Sequence, residues 1–170
     1  MSAQAYQKPD GHNVYLGLGS NIGDRFLNLR NALARLNNNS DIVVLDCSDV
    51  FLTKPWGYEK QEDFFNCCVK IKTHLNPYSL LSCVKEIEKE LGRKYKENEV
   101  RYGPRIIDID ILLYDALCIK SDTLTIPHEH MYNRTFVLIP LSQICREIDF
   151  QKHLDTLEDS KNIKGLSLLF

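Results

Sequence analysis

The chain has 170 residues, 44% hydrophobic and 26% charged, an ordinary globular balance with enough apolar matter for one core. Its 21 basic and 23 acidic residues leave a formal net charge of −2, which excludes a protein built to coat nucleic acid or an anionic membrane. Any anion bound here must therefore meet a local basic cluster.

No apolar run reaches bilayer length, and the polar opening stretch has no secretory hydrophobic region. Residues 1–12 read as a flexible extension, residues 13–170 as a single domain, and the expected location is cytoplasmic. Asn13 to Leu18 alternates as a strand does. Gly19-Ser-Asn-Ile-Gly23 reads as a turn. Asp24 then caps a helix whose apolar residues Phe26, Leu29, Leu33 and Leu36 recur at helical spacing, before the Asn37–Ser40 cluster ends it. Ile42 to Thr53 is strand-like at both ends, and a loop with Lys54-Pro-Trp-Gly57 follows.

From Phe64 to Thr73 a longer strand puts Phe65, Cys67, Val69 and Ile71 on one face and Phe64, Asn66, Cys68, Lys70 and Lys72 on the other. The first set reads as core; the second mixes an aromatic and an amide with charges, as a ligand-facing surface would. Asn76 and Pro77 start a second helix that Gly92 ends, with an apolar stripe of Leu80, Leu81, Val84, Ile87 and Leu91. A polar loop from Arg93 to Pro104 leads to the strand ending at Tyr114. Short strands follow near 117–119 and 124–126, then a helix between His130 and Ile144; beyond Glu147 the pattern predicts nothing. This order is the βαββαβ of a ferredoxin-like α+β fold, a mainly antiparallel sheet with helices on one face and extra C-terminal elements.

The six cysteines (47, 67, 68, 83, 118 and 145) include no CxxC pair. They read as reduced, partly buried small hydrophobes, not as a zinc site or a disulfide framework.

The stretch Arg101-Tyr-Gly-Pro-Arg-Ile-Ile-Asp-Ile-Asp-Ile-Leu-Leu-Tyr114 interrupts a buried-looking strand with two acids. Asp108 and Asp110 share one face, while Ile107, Ile109 and Ile111 point to the core. A bare D-x-D is also what an open, solvated sheet face shows. The surroundings favour chemistry: Arg105 precedes the acids, Arg93, Lys94, Lys96 and Arg101 populate the loop before them, and Pro127-His-Glu-His-Met-Tyr-Asn-Arg134 adds donors. Carboxylates that hold magnesium, beside cations that hold phosphate oxygens, make a polyphosphate site.

Gly103-Pro-Arg-Ile-Ile-Asp-Ile-Asp-Ile-Leu-Leu-Tyr114, Gly17-Leu-Gly-Ser-Asn21, Thr53-Lys-Pro-Trp-Gly57, Asp63-Phe-Phe-Asn66 and Ile126-Pro-His-Glu-His-Met-Tyr-Asn-Arg134 occur in an order that resembles the 6-hydroxymethyl-7,8-dihydropterin pyrophosphokinase family of folate biosynthesis. The likeness runs from about Val14 to Leu141. It implies ATP and 6-hydroxymethyl-7,8-dihydropterin as substrates, with AMP and the pterin diphosphate as products. It further implies two magnesium ions on Asp108 and Asp110, with these acids, Arg93 and Arg105 as the catalytic set. Arg93, Arg105, His128 and Arg134 match the phosphate contacts. Phe64 and Phe136 match the aromatic pair that sandwiches the pterin, Asn66 its hydrogen-bonding residue, and Thr53 and Trp56 the rest of that pocket. The chain would act as a monomer or within a larger folate-pathway enzyme. It departs from the family pattern at Tyr102 (often Trp), at Glu129 (often aromatic) and in a longer basic loop, so Lys94–Lys96 receive no role. Two rivals remain at this stage, a nucleotide-binding regulatory module without catalysis and a metal-dependent phosphatase; neither would form AMP in a pterin-dependent way.

Overall fold

The computed structural model describes residues 11–94, 102–158 and 163–166; the expected extension through residue 10, the loop residues Lys96 and Arg101, and the last four residues lie outside them. The main elements are β1 (His12–Ser20), α1 (Arg25–Asn37), β2 (Ile42–Cys47), β3 (Val50–Thr53), β4 (Phe64–Thr73), α2 (Pro77–Glu90), β5 (Asp108–Tyr114), the small strands β6 (Ile119–Lys120) and β7 (Thr125–Ile126), α3 (Thr135–Ile144), α4 (Gln151–Leu154) and β8 (Lys164–Leu166). A 3-10 turn, Met131–Asn133, precedes α3. Among the described residues no helix is long and apolar enough to cross a membrane.

Both early helices form where their caps dictate. Asp24 accepts from the Leu27 N–H and Asn76 from the Tyr78 and Ser79 N–H groups, satisfying donors that the first turn leaves orphaned. Gly92, at φ +97°, supplies the left-handed residue after α2. The sheet runs β5-β1-β4-β3-β8, with β2 also on β4, and each of these pairings is antiparallel. Setting aside β8, that is the order of a ferredoxin-like core: the last strand beside the first, and the third beside both the first and the second.

One face carries the main core. Leu16, Leu18, Val69, Ile71, Ile109 and Ile111 from the sheet meet Leu29, Leu36, Leu80 and Val84 from α1 and α2. Three expectations change. The presumed turn at Gly19 is strand through Ser20, and β1 begins at His12, the last residue of the expected extension. Helices also occupy both faces: Val137, Leu138 and Leu141 of α3 pack with Tyr15, Cys68, Leu112 and Leu113 in a second core. A register shift between Tyr15 and Leu16 leaves Leu112 without a partner on β1, so Leu112 and Leu113 both reach that second core. Finally, β8 adds a strand to β3 that no local pattern announced. The half of the second face that α3 leaves uncovered is where the acids lie.

Candidate active site

The register of three strands builds the floor. Gly17 stands between Asp110 on β5 and Cys68 on β4; Gly19 stands between Asp108 and Asn66. The two glycines leave bare sheet between the acids and the amide. A Cβ on Gly19 would lie 2.6 Å from Asn66 Oδ1, closer than nonbonded atoms tolerate, so glycine is what lets Asn66 lie across the strand. Asn66 is buried and its Nδ2 donates to Thr53 Oγ1 at 2.7 Å.

Thr53, Trp56, Phe64, Asn66, Arg105, Asp108, Asp110, Arg134 and Phe136 all line one cavity, with Tyr102 at its rim. His128 lines a second cleft instead, together with Leu81, Lys85, Thr125 and Glu129. Asp110 borders both spaces. Arg93 borders neither; it sits behind the floor, bound to Asp108 and, at 3.0 Å, to Glu88.

The two acids are electrostatically unlike. Burial pushes the Asp108 carboxyl up, but Arg105 (2.5 Å from Oδ2) and Arg93 outweigh it and hold the group below the usual carboxylate range. Burial and then the Asp108 carboxylate push Asp110 well above that range. His128 Nε2 lies 3.8 Å from its Oδ2. That imidazole is neutral at pH 7, because burial, Arg134 and His130 push it down to about 4. The His130 N–H donates to His128 Nδ1 at 3.2 Å, which leaves the ring proton on Nε2, facing Asp110. Lys85 and Arg134 favour the Asp110 carboxylate but do not outweigh burial and Asp108. An oxygen-seeking divalent cation fits such a pair, completing its shell with water and phosphate oxygens.

Arg134 is buried, and its guanidinium lies 4.5 Å from the Trp56 ring centroid and 5.6 Å from that of Phe136. Burial pulls its pKa down, yet an arginine stays charged, and its Nε has no hydrogen-bond acceptor among the described residues. The aromatic faces hold a desolvated cation beside the acids, a ready anion contact.

Three further residues shape the site and escape a sequence reading. Glu88 is fully buried on α2, accepts from the Ile109 N–H and Lys85 Nζ at 2.6–3.1 Å, and forms an ion pair with Arg93 Nη1 at 3.0 Å. The available signal was a charge on the apolar stripe, four residues after Val84. Asn21 and Gln61 tie the loops on either side of the cavity; Asn21 closes the Gly17–Asn21 block, which does not reveal this role, and nothing local marks Gln61.

The model of the family described as 7,8-dihydro-6-hydroxymethylpterin-pyrophosphokinase (HPPK) matches residues 15–146. A 2-amino-4-hydroxy-6-hydroxymethyldihydropteridine pyrophosphokinase of Bacillus subtilis is 47% identical over 136 residues, covering 80% of this chain and 80% of its own length. A folic acid synthesis protein of Dictyostelium discoideum is 44% identical across 79% of this chain, but the match spans only 20% of that longer protein. A crystal structure of a Plasmodium falciparum HPPK-DHPS triple mutant superposes with a TM-score of 0.72 at 14% identity, over 96% of this chain and 48% of that one, and so shows likeness of fold. The breadth of the family match and the identity to the bacterial relative lead to one conclusion: the chain belongs to the 7,8-dihydro-6-hydroxymethylpterin-pyrophosphokinase family.

Proposed function

We propose that this protein transfers the β,γ-pyrophosphoryl group of ATP to the hydroxymethyl oxygen of 6-hydroxymethyl-7,8-dihydropterin, a step of folate biosynthesis. The observation that carries the reading is the position of Asp110, where an aromatic cavity meets a polar cleft. A two-substrate phosphoryl transfer needs such a junction, with the reacting oxygen on one side and the nucleotide on the other. Residues 13–170 act as one pyrophosphokinase domain, as a monomer or within a larger folate-pathway enzyme. Six free thiols suit a reducing compartment such as the cytoplasm.

Phe64 and Phe136 sandwich the pterin ring, and Asn66, fixed by Thr53, reads its polar edge, with Trp56 as a wall. The hydroxymethyl group then points at Asp108 and Asp110. Asp108 and Asp110 would hold two magnesium ions, which would supply charge neutralisation and lower the pKa of the attacking hydroxyl. Arg134 and Arg105 bind phosphate oxygens, and the neutral His128 donates its Nε2 proton to another. Arg93 holds Asp108 ionised from behind. The hydroxyl oxygen bonds to the β-phosphorus, the bond to the bridging α,β oxygen breaks, AMP departs with that oxygen, and the hydroxyl proton leaves to solvent.

Incubation with ATP, magnesium and the pterin alcohol is expected to yield AMP and pterin diphosphate in equal amounts, resolved by chromatography. Chelating the divalent cation should stop both. ADP or free phosphate as the sole product would show that the reading is wrong, and a regulatory module would give no turnover.

Gly19 offers a more local check. Gly19→Ala forces Asn66 away from Thr53, so a buried amide loses its partner, worth about 1–3 kcal/mol. Pterin binding should weaken by roughly 5- to 150-fold, while the affinity for a nucleotide analogue changes little. Equal weakening of both ligands in titration calorimetry would place Asn66 outside the pterin site.

A further inference from the structure

Arg105 owes its place to a clip that spans both loops of the site. Asn21 is 4% exposed, directly after β1, and holds the Arg105 backbone from two sides. The Arg105 N–H donates to Asn21 Oδ1 at 2.7 Å, and the Asn21 N–H donates to the Arg105 carbonyl at 3.0 Å. The remaining amide protons of Asn21 face the opposite loop, where Nδ2 donates to Gln61 Oε1 at 2.9 Å and to the Glu62 carbonyl at 3.0 Å. Gln61 Nε2 in turn donates to the carbonyls of Tyr58, 2.6 Å away, and Tyr102, 2.7 Å away.

Gln61 therefore touches, in one side chain, the loop that carries Trp56 and the segment that delivers Tyr102 and Arg105. The same two segments meet at the rim of the cavity, where Trp56 and Tyr102 pack edge to face with ring centroids 4.9 Å apart. A Cβ on Gly57 would lie 2.9 Å from Tyr102, so the contact is tight in backbone as well as side chain. Movement of the Trp56 loop cannot leave Arg105 where it is while these bonds hold.

We infer that Gln61, acting through Asn21, is a positioning residue that links the pterin-side loop to the set of Arg105, so that filling the aromatic cavity and binding the polyphosphate favour each other. This rests on the functional reading above. Gln61 touches neither substrate in this account; it transmits the state of one loop to a phosphate-binding cation on the other.

The test is a binding cycle on the full chain with magnesium. The dissociation constant of 6-hydroxymethylpterin is measured alone and with saturating α,β-methylene-ATP, whose carbon bridge cannot be cleaved in the transfer. Wild type is expected to bind the pterin about 5-fold or more tightly when the nucleotide is present, the lower bound of ordinary coupling. Gln61→Met, similar in length and without amide bonds, should bring that factor close to unity, and Gln61→Glu, which keeps the acceptor for Asn21, should restore part of it. A role confined to stability would lower the melting temperature and leave the factor intact, which overturns the inference, as would a wild type with no coupling. If wild type bound no pterin at all, the functional reading would fail with it. Binding of both ligands with an unchanged factor in Gln61→Met defeats only the clip.

Discussion

Asp110→Asn is expected to cut turnover by about 10²–10³-fold at saturating magnesium, the loss seen when one preorganised electrostatic group is removed from a transition state. The same change should leave the fold as stable as before or more so. Wild-type Asp110 is a carboxylate that burial and Asp108 both disfavour, and asparagine removes that conflict while keeping nearly the same shape. The pH dependence gives a sign to check, with divalent cations absent. Because the folded-state pKa is raised, the native state binds more protons than the unfolded one above the ordinary aspartate value, so wild-type stability falls as pH rises through that window. Asp110→Asn should lack this fall. Asp108→Asn behaves oppositely, since it strips Arg93 and Arg105 of their shared carboxylate and destabilises the fold. Near-normal turnover in Asp110→Asn would remove the metal-ligand assignment; a large loss of melting temperature would remove the electrostatic argument.

That contrast between two acids two residues apart marks where sequence reasoning runs out. The strand face shared by Asp108 and Asp110 follows from a period of two, and the core-facing isoleucines follow with it. Which acid is compensated does not follow, because Arg93 reaches Asp108 from the far end of α2. The elements from Phe64 to Glu90 were legible because their signals are local: an alternating run, then Asn76, Pro77 and Gly92 at fixed offsets. Gly19 was misread for an instructive reason. Glycines between a strand and a helix imply a turn, yet here the glycine serves a neighbour's side chain across the sheet. The second core escaped as well, since α3 shows an almost uniformly apolar run that fits any buried face, and the extra residue at Leu112 exists only in the pairing with β1. The cavity's lining residues were nameable from the family resemblance, whereas the side chains that hold them, Glu88, Asn21 and Gln61, act through partners distant in sequence.

Glu88→Ala is expected to destabilise the protein by about 3–5 kcal/mol, the usual cost of breaking a buried ion pair from one side. The carboxylate is fully buried, yet it accepts from the Ile109 N–H at 2.6 Å and from Lys85 at 3.0 Å, and it forms an ion pair with Arg93 at 3.0 Å. Alanine would strand the peptide N–H between the two site aspartates, and Arg93, only 9% exposed, would keep Asp108 as its one remaining carboxylate among those bonded to it here. Water cannot easily repair that position beneath the sheet. For a chain of this size the melting temperature should drop by roughly 6–20 °C, and urea unfolding should show a lower midpoint at unchanged slope. Glu88→Gln separates the charge from the hydrogen bond: its carbonyl still accepts from Ile109, so it should recover part of the stability while Arg93 loses an ionic partner. Turnover should suffer in both, because the strand that carries Asp108 and Asp110 is fixed at the peptide between them. A Glu88→Ala protein within about 1 kcal/mol of wild type would mean that the network is not coupled to the fold and that its buried charge is tolerated by solvent entry.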